Sequence, residues 1–368
     1  MTGPRVACHG LRVAACIGLL WLAGCTSPEA PPPPAEVRAH VLRLLPARVA
    51  DRPGWAADVQ VAFDALELKP STQNLCAVLA VAEQESNYTV DPVVPGLGRI
   101  ALAELDRRAS EHGVPAFLMH AALKFTSPDG HSYEERLAAA RTEQDLSRIY
   151  EDFIGTVPLG RRLLAGGNPV RTGGPMQVSI AFAEEFSRRR DYPYPVTDDM
   201  RHEVFTRRGG LYFGIAHLLA YQASYTQPLY RFADYNAGFY ASRNAAFQQA
   251  VAIVSGIRIP LDGDLVRYAG GASATATALH SIAWQLQLGD SQIDRALRDG
   301  ELADFERNPL YERVYTLAEQ HAHRRLPRAM LPRITLESPK ITRHLTTAWF
   351  AQRVNQRYRR CLARGGAR

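Results

Sequence analysis

The chain has 368 residues, 46% of them apolar and 22% charged, with a net charge of +6. That balance excludes a disordered or fibrous chain and is enough to bury a sizeable core, in one large domain or two. No Pro/Gly/Ser linker interrupts the body and no internal repeat of roughly 20–50 residues is visible, so one elaborated domain is the simpler expectation.

Residues 1–24 read as a targeting segment. Arg5 and Arg12 supply positive charge, and Val13–Ala23 is an apolar stretch of eleven residues. A spanning helix needs about 20 residues, whereas a secretory h-region is this short. The stretch ends in Leu22-Ala23-Gly24-Cys25, which resembles a bacterial lipobox, where small residues precede a cysteine whose thiol is diacylated. The resemblance implies a lipid anchor on Cys25. Thr26, not Asp, follows it, which implies sorting to the outer membrane, on its periplasmic face. Residues 25–36 contain Pro31 to Pro34 and read as an extended polyproline tether. With Cys8 and Cys16 removed and Cys25 acylated, Cys76 and Cys361 remain. In an oxidising compartment they either pair, stapling the C-terminal tail to the helix of Glu85, or stay as two buried free thiols.

The body is helical nearly throughout. Val37 to Leu66 reads as one long or two short helices, and Gln73 to Glu85 as a helix apolar almost all round, hence central. Residues 100–158 carry Leu102, Leu105, Phe117, Leu118, Leu123, Leu137 and Ile149 in a helical pattern. Val170 to Val178 and Ile257 to Pro260 read as short extended pieces. Ser291 and Asp294 form an expected capping box before a helix that Gly300 ends. Asn308 with Pro309 opens another helix, and Thr342 to Leu362 reads as the last one. The charge is uneven. Residues 321–368 hold twelve Lys/Arg against one acid, Glu337, while the rest is slightly acidic. Such a tail either faces anionic glycan peptides or lipid head groups, or is a solvated helix face. Nucleic acid is a poor partner for an exported lipoprotein.

Three separated segments carry the chemistry: Glu85-Ser86-Asn87-Tyr88, Gly174-Pro175-Met176-Gln177-Val178 and Tyr235-Asn236-Ala237-Gly238. In this order they resemble the ES, G-x-MQ and YNAG signatures of the lysozyme-like lytic transglycosylases, which cut peptidoglycan glycan strands. Two departures are visible: Glu85 and Gln177 are 92 residues apart, where the family has a short connection, and Pro175 stands where the family has Leu. As a whole the chain also resembles a family of Gram-negative lipoproteins of unknown function.

The expected fold is mainly α: a lysozyme-like transglycosylase core over residues 37–257, a helical insert at about 100–158, and a helical C-terminal extension over 258–368 packed on the core. Glycosidic cleavage requires a carboxylic acid that holds its proton at neutral pH, so it must be desolvated. Glu85 closes the apolar helix, at the negative end of the dipole, which disfavours ionisation. Glu83 lies on the opposite, equally apolar face, and periodicity does not choose between them. The resemblance does, because its acid is the Glu before Ser. It implies Glu85 as a single acid/base, with Ser86, Met176, Gln177, Tyr235 and Asn236 binding substrate and the Tyr235 phenol donating to the Glu85 carboxyl. It requires neither cofactor nor metal. The expected partners are peptidoglycan glycan strands and, through Cys25, the outer membrane. The alternative is a non-catalytic peptidoglycan-binding lipoprotein that retains the cleft.

Overall fold

The helical periodicity is realised as a mainly α-helical protein whose only strands, among the described residues, are two short antiparallel pairs. In this computed structural model the described residues are Gly3, 31–111, 113–156, 162, 165–267, 270–336 and 343–366. The chain divides into Met1–Pro32 and a compact unit, Pro33–Arg368; Cys25 and its lipobox lie outside the described residues. Within the second unit no described helix is long and apolar enough to cross a membrane.

The first apolar run forms two helices, α1 (Pro34–Leu44) and α2 (Arg52–Ala65), so helix begins inside the stretch expected to be tether. Prolines 46 and 53 make a continuous helix unfavourable. Asp51 starts α2 by accepting from the Gly54 N–H at 3.1 Å. Helix α3 (Thr72–Glu85) is capped by Ser71 and buries eight consecutive residues, Leu75 to Ala82. A helix buried on every face must be central, and α3 is the axis of the main core. The insert folds as α4 (Leu97–Glu111), α5 (Ala116–Leu123), α6 (Tyr133–Ala139) and α7 (Glu143–Thr156).

The expected extended piece at 170–178 is a hairpin, β1 (Thr172–Gly173) pairing β2 (Val178–Ser179). Then come α8 (Ile180–Arg189), α9 (Met200–Phe205), α10 (Arg207–Leu219), α11 (Pro228–Ala237) and α12 (Ala241–Ser255). Residues 257–260 are not in a strand; Ile259 is buried there without a ladder partner. Helices α13 (Ala274–Ser281), α14 (Ala283–Leu286), α15 (Asp290–Arg298) and α16 (Pro309–Ala322) build a second core. A second pair, β3 (Thr335–Leu336) and β4 (Leu345–Thr346), leads into α17 (Thr347–Arg364).

Two caps illustrate how local chemistry sets boundaries. Asn308 accepts from Leu310 N–H at 3.0 Å and opens α16, as its sequence requires. The box expected at Ser291 lies two residues earlier, where the Gln292 side chain accepts from the Gly289 N–H at 2.9 Å. Asp294, freed from capping, pairs with His280 at 2.9 Å.

The last helix returns to the first core. Phe350, Val354, Tyr358 and Cys361 of α17 pack among the residues of α3 and α11. Cys76 and Cys361 form a disulfide, S–S 2.00 Å, with Cα atoms 5.5 Å apart and a sequence separation of 285. The second core, Phe247 to Leu326, begins on α12. Arg243 joins the two parts: it is fully buried, donates to the carbonyls of Gly300 and Leu302, and stacks 4.1 Å from the Tyr240 ring.

Candidate active site

Glu85 is the last residue of α3, and the chain reverses directly behind it. Asn87 and Tyr88 both adopt positive φ, 51° and 64°, a costly conformation for non-glycine residues that persists only where surroundings hold it. Here the Tyr88 hydroxyl donates to the Leu79 carbonyl at 3.0 Å, and its ring meets Trp55 edge-on at 5.3 Å. The single hydroxyl proton of buried Ser86 is shared between the Ala82 carbonyl at 3.0 Å and the Pro175 carbonyl at 2.8 Å. The second bond spans 89 residues and ties the first sequence segment to the second.

That second segment is the β1–β2 turn. Gly174 has φ +72°, and a Cβ there would lie 2.1 Å from the Val204 carbonyl oxygen, so both conformation and space demand glycine. Pro175 and Met176 are buried, and Met176 packs so closely on α10 that a Cβ on Gly214 would lie 2.6 Å from its sulfur. Gln177 also has positive φ, 51°, and its amide is folded back on the hairpin. Its Nε2 donates to Gly174 O at 3.3 Å and its Oε1 accepts from the Thr172 hydroxyl at 3.2 Å.

The third segment ends α11. The Tyr235 phenol donates to the Met176 carbonyl at 2.7 Å, across 59 residues. This corrects the expectation that it donates to Glu85; an unpaired carbonyl in the tight β-turn is the acceptor within reach. The phenol still lies in the field of Glu85: burial first, and the Glu85 carboxylate second, push its pKa well above the ordinary value. Asn236 is exposed and turns away, accepting from the Thr347 hydroxyl at 2.8 Å at the start of α17. Gly238, φ +109°, turns the chain after the helix. Glu85, Ser86, Met176 and Tyr235 are thus drawn together, while Gln177 and Asn236 are engaged in local structure beside them.

The electrostatics separate the two glutamates. Burial pushes the Glu85 pKa from 4.5 up to about 8, opposed in part by the guanidinium of Arg357 on α17. Glu85 as a whole residue is only half-buried, while its carboxyl is desolvated. Glu83 instead meets Arg48 at 2.8 Å and Arg360 at 3.6 Å, a structural ion pair. Asp234, beside Tyr235, is buried and saturated: it accepts from the hydroxyls of Tyr221 and Tyr225 and from the Ser242 N–H at 2.7 Å. Its bonds fix the α11–α12 corner.

Two groups at the site were not singled out in the sequence. His217 on α10 lies among Tyr235, Phe239 and Phe182, at ring separations of 5.1, 4.5 and 4.8 Å, and burial pushes its pKa down to about 4. It is therefore a neutral packing partner of Tyr235. Arg357 was visible only as one of many C-terminal cations; its spacing from Cys361, one helical turn, is the signal that places it over α3 once the disulfide is known.

No solved structure matches the chain. It is similar to a protein of Escherichia coli (strain K12) described as "Uncharacterized protein YaiW", 53% identical over 353 residues that cover 94% of this chain and 96% of that one. Residues 48–364 match the family described as "Protein of unknown function (DUF1615)". That match embraces α2 to α17 and all three segments of the site, and the chain belongs to the DUF1615 family.

Proposed function

We propose that this protein cleaves peptidoglycan glycan strands by a lytic transglycosylase mechanism, with Glu85 as the single acid/base on a lysozyme-like core. The observation that carries the reading is convergence. Three segments far apart in sequence meet through Ser86–Pro175 and Tyr235–Met176 around a carboxyl that burial holds protonated at neutral pH.

In this mechanism the Glu85 acid gives its proton to the bridging oxygen as the bond to the muramoyl C1 breaks. The substrate's N-acetyl group stabilises the cationic centre. The carboxylate then takes the proton of the muramoyl 6-hydroxyl, whose oxygen bonds to C1 and closes a 1,6-anhydro ring. No water is consumed and Glu85 ends as it began. A pKa near 8 suits both halves: the acid is populated at pH 7 and its conjugate base is strong enough to recover the proton. The lone carboxyl fits this route better than hydrolysis with two carboxylates about 5–9 Å apart, since Glu83 and Asp234 are both committed to other partners. Ser86 and Met176 are assigned to the floor beneath the substrate, and Gln177 and Asn236 to contacts made by exchanging their present bonds to Thr172 and Thr347 for substrate hydroxyls. Cys25 is assigned to the outer-membrane anchor, which holds the domain in the periplasm.

A second reading, a peptidoglycan-binding lipoprotein without turnover, takes support from Tyr235, whose phenol is spent on Met176 rather than on Glu85. Release of soluble fragments from purified sacculi separates the two. Turnover by the wild type but not by Glu85→Gln supports cleavage; retention on sacculi with no release by either supports binding alone.

A further inference from the structure

The insert encloses a chamber unrelated to Glu85. Helices α4–α7 and residues 167–172 surround a cavity of about 480 Å³, with Ile100, Leu105, Met119, Leu137, Leu146 and Phe153 on its walls. It is not slack packing. Helices α4 and α6 touch so closely that a Cβ on Gly98 would lie 2.2 Å from the Leu137 carbonyl oxygen, and the Tyr133 and Phe153 rings meet edge-on at 5.2 Å. Close-packed walls around an apolar void of this size describe a ligand chamber, because protein interiors otherwise leave few gaps larger than a water.

The cover of this chamber is itself apolar. Helix α5, Ala-Phe-Leu-Met-His-Ala-Ala-Leu, turns Met119, Ala122 and Leu123 inward to the cavity. Its other side leaves Phe117 70% and Leu118 52% exposed, with Phe125 67% exposed just beyond it. Gly113 (φ +68°) precedes it, in a left-handed turn with open space around it. A short helix lying over an apolar chamber thus presents apolar side chains both inward and to the surface, and an exposed apolar patch of this kind marks an interaction site.

The chamber opens toward charge. Tyr150 and Arg171 line both it and a polar cleft of about 970 Å³ of mixed charge, which carries Arg148 and Arg201 together with Glu151, Asp152 and Glu184. Neither Arg148 nor Arg171 has an ion-pair partner among the described residues; Arg171 donates to the Gly166 carbonyl at 2.9 Å. By contrast Glu104, on the wall, is held by Arg107 and Arg108, at 2.7 Å each.

We propose that the insert is a binding site for a single-chain anionic amphiphile, such as a free long-chain fatty acid, taken from a lipid surface through α5. The hydrocarbon fills the chamber and the acid group meets Arg171 and Arg148. Since a cavity of about 150 Å³ accommodates benzene, this one accommodates a chain of roughly 16–18 carbons, and a two-chain phospholipid is too large.

The test uses the full-length protein in phosphatidylcholine nanodiscs with a palmitic acid analogue bearing a mid-chain diazirine, followed by irradiation and peptide mapping. Label should enter peptides containing Ile100–Leu105 and Met119–Leu123, saturate at one per chain, and be removed by excess palmitate. Ala101→Trp, which fills the chamber, should reduce labelling at least tenfold. Phe117→Ser with Leu118→Ser should slow uptake from the membrane without changing final occupancy, and Glu85→Gln should label as wild type. Should Ala101→Trp not fold, competition by palmitate still decides. Label scattered over the surface or not competed by palmitate overturns the proposal. So does equal labelling of the chamber by a diazirine phosphatidylcholine, or crosslinking of α5 to a second copy.

Discussion

Replacing Glu85 with Gln should make the protein more stable at alkaline pH, even as it removes the proposed acid. The folded carboxyl ionises near pH 8, against 4.5 as its ordinary value. Between those values the folded state keeps a proton that the unfolded chain has released, so stability falls as pH rises, by up to about 1.4 kcal/mol per pH unit. The loss is absent below pH 4.5, reaches about 5 kcal/mol at pH 8, and then stops growing because the folded carboxyl ionises as well. Residual solvent contact makes that figure an upper limit. Gln carries no such proton. Thermal unfolding of both proteins at pH 4.5 and pH 9, at one ionic strength, cancels every other titrating group. Melting temperatures should agree at pH 4.5, and the variant should lie several degrees higher at pH 9, at about 2 °C or less per kcal/mol for a chain this long. Equal melting at pH 9, or a wild type the more stable there, would refute the claim that burial keeps Glu85 protonated.

Three further outcomes follow from the same geometry. Cys361→Ser opens a loop of 285 residues and should cost about 3–5 kcal/mol in chemical denaturation, with loss of turnover because α17 carries Arg357 and receives Asn236. Ser86→Ala leaves the buried Pro175 carbonyl without its donor, which should cost about 1–3 kcal/mol; an unchanged unfolding free energy would mean the bond is not holding the turn. Arg357→Gln removes the cation that opposes the raised pKa of Glu85, so the alkaline limb of the pH–rate profile should move to higher pH, and a move to lower pH would contradict the assignment.

Much of this was legible in the sequence wherever one local rule sufficed. The apolar run of Gln73 to Glu85 announced a buried central helix, Asn308-Pro309 announced a helix start, and the disulfide was one of two options left once three cysteines were assigned to the leader and its anchor. What depended on tertiary partners was not legible. Tyr235 was expected on Glu85, but a hydroxyl bonds the acceptor that packing presents, and the turn at Met176 presents one nearer. Gln177 was expected to face substrate; its left-handed backbone and its bonds to Thr172 and Gly174 arise from a hairpin that no periodicity over two-residue strands can reveal. The equal apolarity of both faces of α3 left Glu83 and Glu85 undistinguished from residues alone, and the separation came from Arg48 and Arg360, distant in sequence. The chamber in the insert was likewise invisible, since the same leucines would fill a solid core.

The central claim, that one carboxyl cuts glycan strands and closes a ring, is tested most directly by the chemical identity of its products. Purified sacculi are digested with the wild-type protein and with Glu85→Gln, and the released muropeptides are analysed by mass. The account predicts 1,6-anhydro-muramoyl ends, lighter by one water than reducing ends, from the wild type alone. Reducing ends from the wild type, or anhydro ends undiminished in the variant, would contradict it.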